Sequence, residues 1–144
     1  MRITAKVWSR AGDHRVEVDT EGRARAVAIP AKAGARGSDV NGGELLFAAL
    51  ATCYCNDVYR EAAREGIDVR AIEVEVSGEF GRPGEPARNI EYRARVDAVG
   101  SSEDAVRRLL VHTDTVAEIQ NTLRAGVGVR LTNVDVRVTP PGAS

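Results

Sequence analysis

The feature that most constrains the fold is an apolar run in the middle of the chain, followed at once by a helical pattern. The run extends from Leu45 to Cys55 and is interrupted only by Thr52, so a helix made of it would be apolar on every side. The residues that follow alternate at helical spacing, with one set apolar and the other charged: Val58, Tyr59, Ala62 and Ala63 against Arg60, Glu61, Arg64 and Glu65. We therefore predict one long, buried central helix over Glu44–Glu65.

The ends of this helix are also marked in the sequence. Asp39 or Asn41 is a suitable N-cap, and Gly66 is a suitable residue for the left-handed turn that ends a helix. A helix that is apolar on every side needs more cover than one small sheet provides, so a second helix or another subunit must cover the rest. An uncovered patch of that size would promote aggregation. We therefore predict an obligate homodimer.

Strand patterns surround the central helix. Apolar and polar residues alternate in six segments, which are Ile3–Val7, Val16–Val18, Ala24–Ile29, Ile72–Val76, Ile90–Val96 and Val129–Val138. Two further helical patterns follow Ser101 and Val116. The predicted order is βββ-α-ββ-αα-β in a single α+β domain over residues 1–144, with no repeat or linker dividing it.

Composition excludes several classes of protein. The 144 residues carry a formal net charge of −1, so no basic surface for nucleic acid or an anionic membrane is expected. The run from Leu45 to Cys55 is too short to span a bilayer. The charged, alternating segment Met1–Arg10 is unlike a signal peptide, and two cysteines do not make a disulfide scaffold. We expect a cytoplasmic protein with no nucleic-acid or membrane partner.

Residues with catalytic potential are few. His14 and His112 are the only histidines, and neither lies beside a serine or cysteine as a hydrolytic triad would require. Cys53 and Cys55 would leave opposite sides of a helix, about 200° apart, which disfavours a disulfide between them. Their spacing does not match a structural zinc site, so we predict no metal and no cofactor. From the residues alone, each cysteine is either a small buried apolar group or a reactive thiol.

The segment from Asn41 to Tyr54, NGGELLFAALATCY, resembles the helix opening of the OsmC/Ohr superfamily (osmotically inducible protein C and organic hydroperoxide resistance protein). In that family an Asn-Pro-Glu segment leads into a Leu/Ala-rich helix that ends in two small residues, a cysteine and an aromatic residue. The predicted order of elements agrees with the family along nearly the whole chain. The resemblance implies an intertwined homodimer with the central helices buried between the subunits.

The resemblance also implies roles for individual residues. Cys53 matches the reactive cysteine, which attacks a hydroperoxide and is afterwards reduced by a dithiol. Glu44 stands one residue after the position of the family's glutamate, which is occupied here by Gly43, and Arg15 is the nearest match to its N-terminal arginine. The resemblance places the family's second, resolving cysteine in the closing helix, where this chain has Ala117 and Glu118, and no cysteine follows Cys55.

Two functional hypotheses follow. In the first, Cys53 is the reactive thiol of a reductase that takes small apolar organic hydroperoxides as substrates. The oxidised Cys53 would be resolved by an external thiol, such as a dithiol reductant, or by Cys55 of the partner subunit. In the second, the dimer has lost this chemistry and binds an apolar small molecule at the subunit interface. The pocket residues predicted under either hypothesis are Leu46, Phe47, Leu50, Tyr54 and Cys55.

Overall fold

Strands and helices follow one another in the order βββ-α-ββ-αα in the computed structural model, which describes residues 1–142. The strands are β1 (Ile3–Arg10), β2 (Asp13–Thr20), β3 (Arg23–Val27), β4 (Asp68–Glu79) and β5 (Arg88–Val99). The helices are α1 (Gly42–Glu65), α2 (Glu103–Val116) and α3 (Glu118–Ala125). The predicted α+β class is confirmed, and so is the predicted order of these eight elements. None of the helices in this range combines the length and hydropathy that a membrane span requires.

The first three strands form an antiparallel sheet of their own, in the order β1-β2-β3. Val7 of β1 is paired with Val16 of β2, which is in turn paired with Val27 of β3. Within residues 1–142 this sheet makes no extended contact with the helices or with the second sheet. Its apolar side chains are accordingly open to solvent in the single chain, with Val7 59% and Trp8 51% exposed.

Helix α1 begins with a reciprocal pair of hydrogen bonds. The Asn41 side chain accepts from the Glu44 amide at 3.0 Å, and the Glu44 carboxylate accepts from the Asn41 amide at 2.7 Å. The helix ends at Gly66, whose φ of 71° is the left-handed conformation that glycine adopts without strain. Of the two predicted N-caps, Asn41 is therefore the correct one.

The core of the molecule lies where α1 packs on β4 and against α2 and α3. The buried residues of this cluster come from α1, from α2 and from the junction between α2 and α3, and they are Tyr54, Val58, Ala62, Leu109 and Ala117. Strands β4 and β5 form the second antiparallel sheet, with Val74 paired to Ala94, and present partly buried side chains to α1. The core is thus one helix stripe held between a hairpin and a helical pair.

A single chain covers one side of α1. Leu50 and Tyr54 are buried, whereas Leu45 is 39% exposed and Ala48 and Ala49 are also exposed. The apolar half of α1 therefore needs cover beyond what its own chain provides, in agreement with the prediction from the sequence.

The polar face predicted for the second half of α1 was partly wrong. Glu61, assigned to the solvent side, is only 4% exposed, and Tyr59, assigned to the apolar side, is 43% exposed. The physical reason is that Glu61 is paired with arginines, and paired charges are buried at much lower cost than isolated ones.

The predicted last strand, Val129–Val138, is not formed in the single chain. Residues 127–140 form no strand, and their apolar side chains are exposed to solvent, with Val129 97% and Leu131 87% exposed. A strand requires a neighbouring edge that supplies its hydrogen bonds. No element within residues 1–142 is paired with this segment.

The packing of α1 against α2 gives a test of stability. Leu109 is fully buried and Val111, two residues later, is 66% exposed. We expect Leu109→Ala to lower the free energy of unfolding by about 2–5 kcal/mol because it leaves a cavity, and Val111→Ala to change it by less than about 0.5 kcal/mol. Urea titration followed by circular dichroism measures both. Equal effects would show that Leu109 does not lie in the core.

Candidate functional site

Cys53 lies on α1 at the point where the first turn of α3 approaches the helix. Its thiol is partly buried and lies 3.4 Å from Oδ2 of Asp57, four residues further along the same face of α1. Oε2 of Glu118, the first residue of α3, lies 4.0 Å from the same sulfur. The fold therefore places one thiol between two carboxylates from different helices.

Arg60 holds these two carboxylates from the other side. Its Nη1 lies 2.6 Å from Oδ1 of Asp57 and 3.5 Å from Oε1 of Glu118. Each carboxylate thus presents one oxygen to Arg60 and the other to Cys53. A planar guanidinium suits this role because it binds several carboxylate oxygens in fixed directions.

Glu61 extends the charged cluster toward α2. Its carboxylate accepts from Nε of Arg60 at 2.9 Å and from Arg64 at 2.8 Å, and Nε2 of His112 lies 3.6 Å away. Asp57 and Glu61 are each only 4% exposed. Each of these two buried carboxylates is therefore paired with an arginine three residues further along the same helix.

Burial and charge act on the thiol in the same direction. Desolvation is the largest effect and raises the pKa of Cys53 above its ordinary value of 9.0. The backbone amide of Ile119 has the next largest effect and lowers this pKa, whereas the carboxylates of Asp57 and Glu118 raise it. Burial also raises the pKa of Asp57, although Cys53 and Arg60 oppose this. At neutral pH the arrangement favours a protonated thiol that donates to a carboxylate.

The same three side chains could reach a cation. Sγ of Cys53 and one oxygen each of Asp57 and Glu118 lie within 4.8 Å of one another. A metal ion would, however, compete with Arg60 for both carboxylates. We therefore describe the cluster as a hydrogen-bonded ion group and assign no metal to it.

The other two residues predicted as catalytic lie away from Cys53 in the single chain. Glu44 belongs to the N-terminal capping pair of α1, nine residues before Cys53 and so about 13 Å along the helix axis. Arg15 lies on β2 and is paired with Asp13 at 3.2 Å. It lines a wide, open cavity of about 1110 Å³ on the N-terminal sheet, which does not include Cys53.

The five predicted pocket residues fall into two groups. Leu50 and Tyr54 belong to the buried interior, where the Leu50 carbonyl accepts from Nε2 of Gln120 at 2.9 Å and the Tyr54 hydroxyl donates to the Leu110 carbonyl at 2.7 Å. The other three are partly exposed, and they are Leu46, Phe47 and Cys55. Phe47 stacks on Phe80 of the β4–β5 connection, with ring centroids 5.7 Å apart.

Sequence reasoning missed the charged half of the site. Asp57, Arg60 and Glu118 were not singled out, because charged residues at helical spacing usually form a solvated face. The spacing did carry a signal, since Asp57 and Arg60 stand three residues apart and can pair on one helix face. No periodicity or spacing placed Glu118 beside Cys53, and the one signal was that the resemblance puts the family's resolving cysteine at Ala117-Glu118.

The Glu61 cluster gives a test of pH dependence. Hydrogen bonds from Arg60 and Arg64 lower the pKa of Glu61 below its usual 4.5 in the folded protein. A carboxylate with a lowered folded pKa stabilises the protein above its unfolded pKa and loses that contribution as the pH falls. We therefore expect the melting temperature of the wild type to fall more steeply below about pH 4.5 than that of Glu61→Gln.

The control for this test is Glu65→Gln, an exposed neighbour on the same helix. It should follow the wild-type profile between neutral pH and about pH 3. If the melting temperatures of the wild type and Glu61→Gln fell equally steeply below about pH 4.5, this would contradict the pairing of Glu61 with the arginines.

Comparison with known proteins places this fold in a family. The family model for "OsmC-like protein" matches residues 35–132, while no curated protein matches the sequence.

Three solved structures are similar in fold. An OsmC-like protein from Mycoplasma pneumoniae has 16% identity and a TM-score of 0.57, with 84% of this chain and 87% of that chain covered. An OsmC-like protein of unknown function from Vibrio cholerae has 14% identity and a TM-score of 0.55, covering 83% and 92%. The organic hydroperoxide resistance protein OsmC from Legionella pneumophila has 20% identity and a TM-score of 0.54, covering 86% and 90%. The chain belongs to the OsmC-like protein family.

Proposed function

We propose that the protein is a thiol-dependent reductase of organic hydroperoxides in which Cys53 is the reactive thiol. The observation that carries the proposal is the position of this thiol, partly accessible and hydrogen-bonded to a carboxylate at 3.4 Å. A cysteine that served only as apolar filling would not need a polar partner. Membership of the OsmC-like family and the name of the Legionella relative, an organic hydroperoxide resistance protein, support the same reaction class.

In the proposed reaction, the Cys53 sulfur attacks the terminal oxygen of the hydroperoxide. The S–O bond forms as the O–O bond breaks, so the thiol is oxidised to a sulfenic acid and the hydroperoxide is reduced to an alcohol. One thiol of an external dithiol then attacks the sulfur of the sulfenic acid, which forms a mixed disulfide and releases water. The second thiol attacks this mixed disulfide, restores the Cys53 thiol and releases the dithiol in its oxidised, disulfide form. Cys55 leaves α1 about 200° away from Cys53 and no cysteine follows it, so the dithiol acts directly on the sulfenic acid.

The proposal includes a homodimer in which the partner subunit covers the open face of α1. Leu45 on that face is 39% exposed, and the apolar side chains of β1 and of residues 127–140 are also uncovered in one chain. Glu44 lies about 13 Å from Cys53 along α1, and Arg15 belongs to a sheet that makes no extended contact with α1, so neither acts on Cys53 of its own chain. We assign them to the site of the partner subunit, where they would bind the substrate. We place the protein in the cytoplasm, where dithiol reductants are abundant.

The second candidate function is binding of an apolar small molecule at the subunit interface without redox chemistry. Its supporting observation is that Glu118 extends to within 4.0 Å of Cys53, so that carboxylates rather than a second thiol face the sulfur. Leu46 and Phe47, which are partly exposed, would line such a pocket. Oxidation of Cys53 by a hydroperoxide decides between the two functions.

The reaction is tested with cumene hydroperoxide and dithiothreitol. We expect the wild type to turn over, Cys53→Ser to fall to the uncatalysed rate because it lacks the attacking sulfur, and Cys55→Ser to retain most of the activity. Mass spectrometry with a sulfenic-acid trap should locate the oxidation on residue 53. Wild-type protein that is neither oxidised nor active would reject the reductase and favour the binding protein.

The assembly is tested by light scattering. We expect a particle of twice the 15.4 kDa chain mass that persists on dilution to about 1 μM, because the uncovered apolar surface favours a permanent interface. Leu45→Glu should weaken the dimer, since it buries a charge in that interface. A stable, folded monomer at this concentration would contradict the proposed assembly.

A further inference from the structure

We propose that Asp57 is a further catalytic residue, which accepts the proton of the Cys53 thiol and delivers it to the alkoxide that leaves the hydroperoxide. This inference rests on the proposed function and deepens it. It assigns to this chain a way of activating the thiol that uses a carboxylate in the next turn of the same helix rather than a cation beside the sulfur.

The position of Asp57 fits a proton acceptor. Its Oδ2 lies 3.4 Å from Sγ of Cys53, within the range for a hydrogen bond to sulfur. Its side chain is held in place by burial, since Asp57 is 4% exposed, and by the 2.6 Å bond between Oδ1 and Arg60. A base that touches the reacting atom and cannot turn away meets the geometric requirement for general base catalysis.

The distribution of charge around the sulfur excludes direct activation by Arg60. The guanidinium binds Oδ1 of Asp57 and Oε1 of Glu118, the two oxygens that face away from the sulfur. Among residues 1–142, the side chains that lie in hydrogen-bond contact with Sγ are the carboxylates of Asp57 and Glu118. Negative groups next to a sulfur disfavour the thiolate, so an attack that starts from the neutral thiol needs an acceptor for its proton.

The groups that face Asp57 come from three helices. Arg60 and Glu61 belong to α1, Glu118 belongs to α3, and His112 of α2 contacts the cluster through Glu61. Burial and, to a smaller extent, Glu118 raise the pKa of Asp57, which makes it a stronger base than an exposed aspartate, while the hydrogen bond from Cys53 and the charge of Arg60 limit the rise. Arg60 and Glu118 are therefore positioning residues that set the orientation and basicity of Asp57.

The proton balance of the step is simple. As the sulfur attacks the terminal oxygen of the hydroperoxide, its proton passes to Oδ2 of Asp57. The O–O bond breaks, two electrons of the sulfur form the new S–O bond, and the alkoxide takes the proton from Asp57. The products are the Cys53 sulfenic acid and an alcohol, and Asp57 is again a carboxylate. The external dithiol named above then reduces the sulfenic acid.

The test compares two reactions of the same sulfur, measured in a Cys55→Ser background so that Cys53 is the one thiol present. In Asp57→Asn, sulfenic acid formation with cumene hydroperoxide at neutral pH should be slower by about 100-fold, because the base is gone. Alkylation by iodoacetamide should instead be faster by about 3-fold or more, because loss of the negative neighbour increases the thiolate fraction. Glu65→Gln, an exposed carboxylate on the same helix, should change neither rate.

A second measurement needs no substitution at Asp57. Between about pH 6.5 and pH 8 the alkylation rate should rise nearly tenfold per unit with the thiolate fraction, whereas the rate of oxidation should stay within about 2-fold if Asp57 takes the proton. This pH profile of the wild-type site tests whether Asp57 takes the proton even if circular dichroism shows that Asp57→Asn is misfolded.

The outcomes separate the two proposals. If the wild type forms no sulfenic acid, the proposed function fails and the role of Asp57 fails with it. If the wild type is oxidised but Asp57→Asn is oxidised as fast, or if oxidation and alkylation rise in parallel with pH, the reductase stands and the role of Asp57 is rejected. Opposite changes of the two rates in a folded Asp57→Asn support it.

Discussion

The packing of α1 against α2 and α3 determines which groups surround the sulfur of Cys53. Two hydrogen bonds between these helices fix that packing, from Nε2 of Gln120 to the Leu50 carbonyl and from the Tyr54 hydroxyl to the Leu110 carbonyl. Ala117, fully buried between α2 and α3, packs in the same core cluster as Tyr54 and Leu109. Because Glu118 follows Ala117 directly, its carboxylate is brought to the sulfur of Cys53 by the same contacts.

Helix α1 therefore carries two neighbouring stripes with different functions. One stripe is apolar and forms the core with Val58 and Ala62, and the other is charged and runs from Asp57 to Arg64. Cys53 stands where the two stripes meet, which makes its sulfur both partly desolvated and hydrogen-bonded. The arginines in the second stripe neutralise the carboxylates, and this pairing allows ionised groups to lie so close to the core.

Much of the fold could be predicted from the sequence because it depends on local periodicity. Strand alternation located both sheets, and the capping residue Asn41 and the ending residue Gly66 located α1. The segment Val129–Val138 has the alternation of a strand, but one chain supplies no edge for it, and pairing between distant segments is not encoded locally. The burial of Glu61 was missed for a similar reason, since a charged residue is predicted to be exposed unless its pairing partners are known.

The candidate site was predictable only in part. The position of Cys53 in a motif resembling the OsmC/Ohr helix opening singled out the sulfur, but its surroundings depend on tertiary contacts. The contact with Glu118 joins residues 65 positions apart in the chain, and no sequence pattern marks it. Glu44 and Arg15 were chosen by analogy of position, and one chain leaves them on other parts of the molecule.

The pKa of the Cys53 thiol tests most directly whether the sulfur is held as a neutral thiol beside a carboxylate. It can be measured from the ultraviolet absorbance of the thiolate in Cys55→Ser protein, with the Cys53→Ser, Cys55→Ser double variant as the blank. Burial and the carboxylates of Asp57 and Glu118 predict a pKa above the ordinary value of 9.0. A pKa near or below 7 would show a thiolate stabilised by a cation, and would contradict the arrangement of charges described for this site.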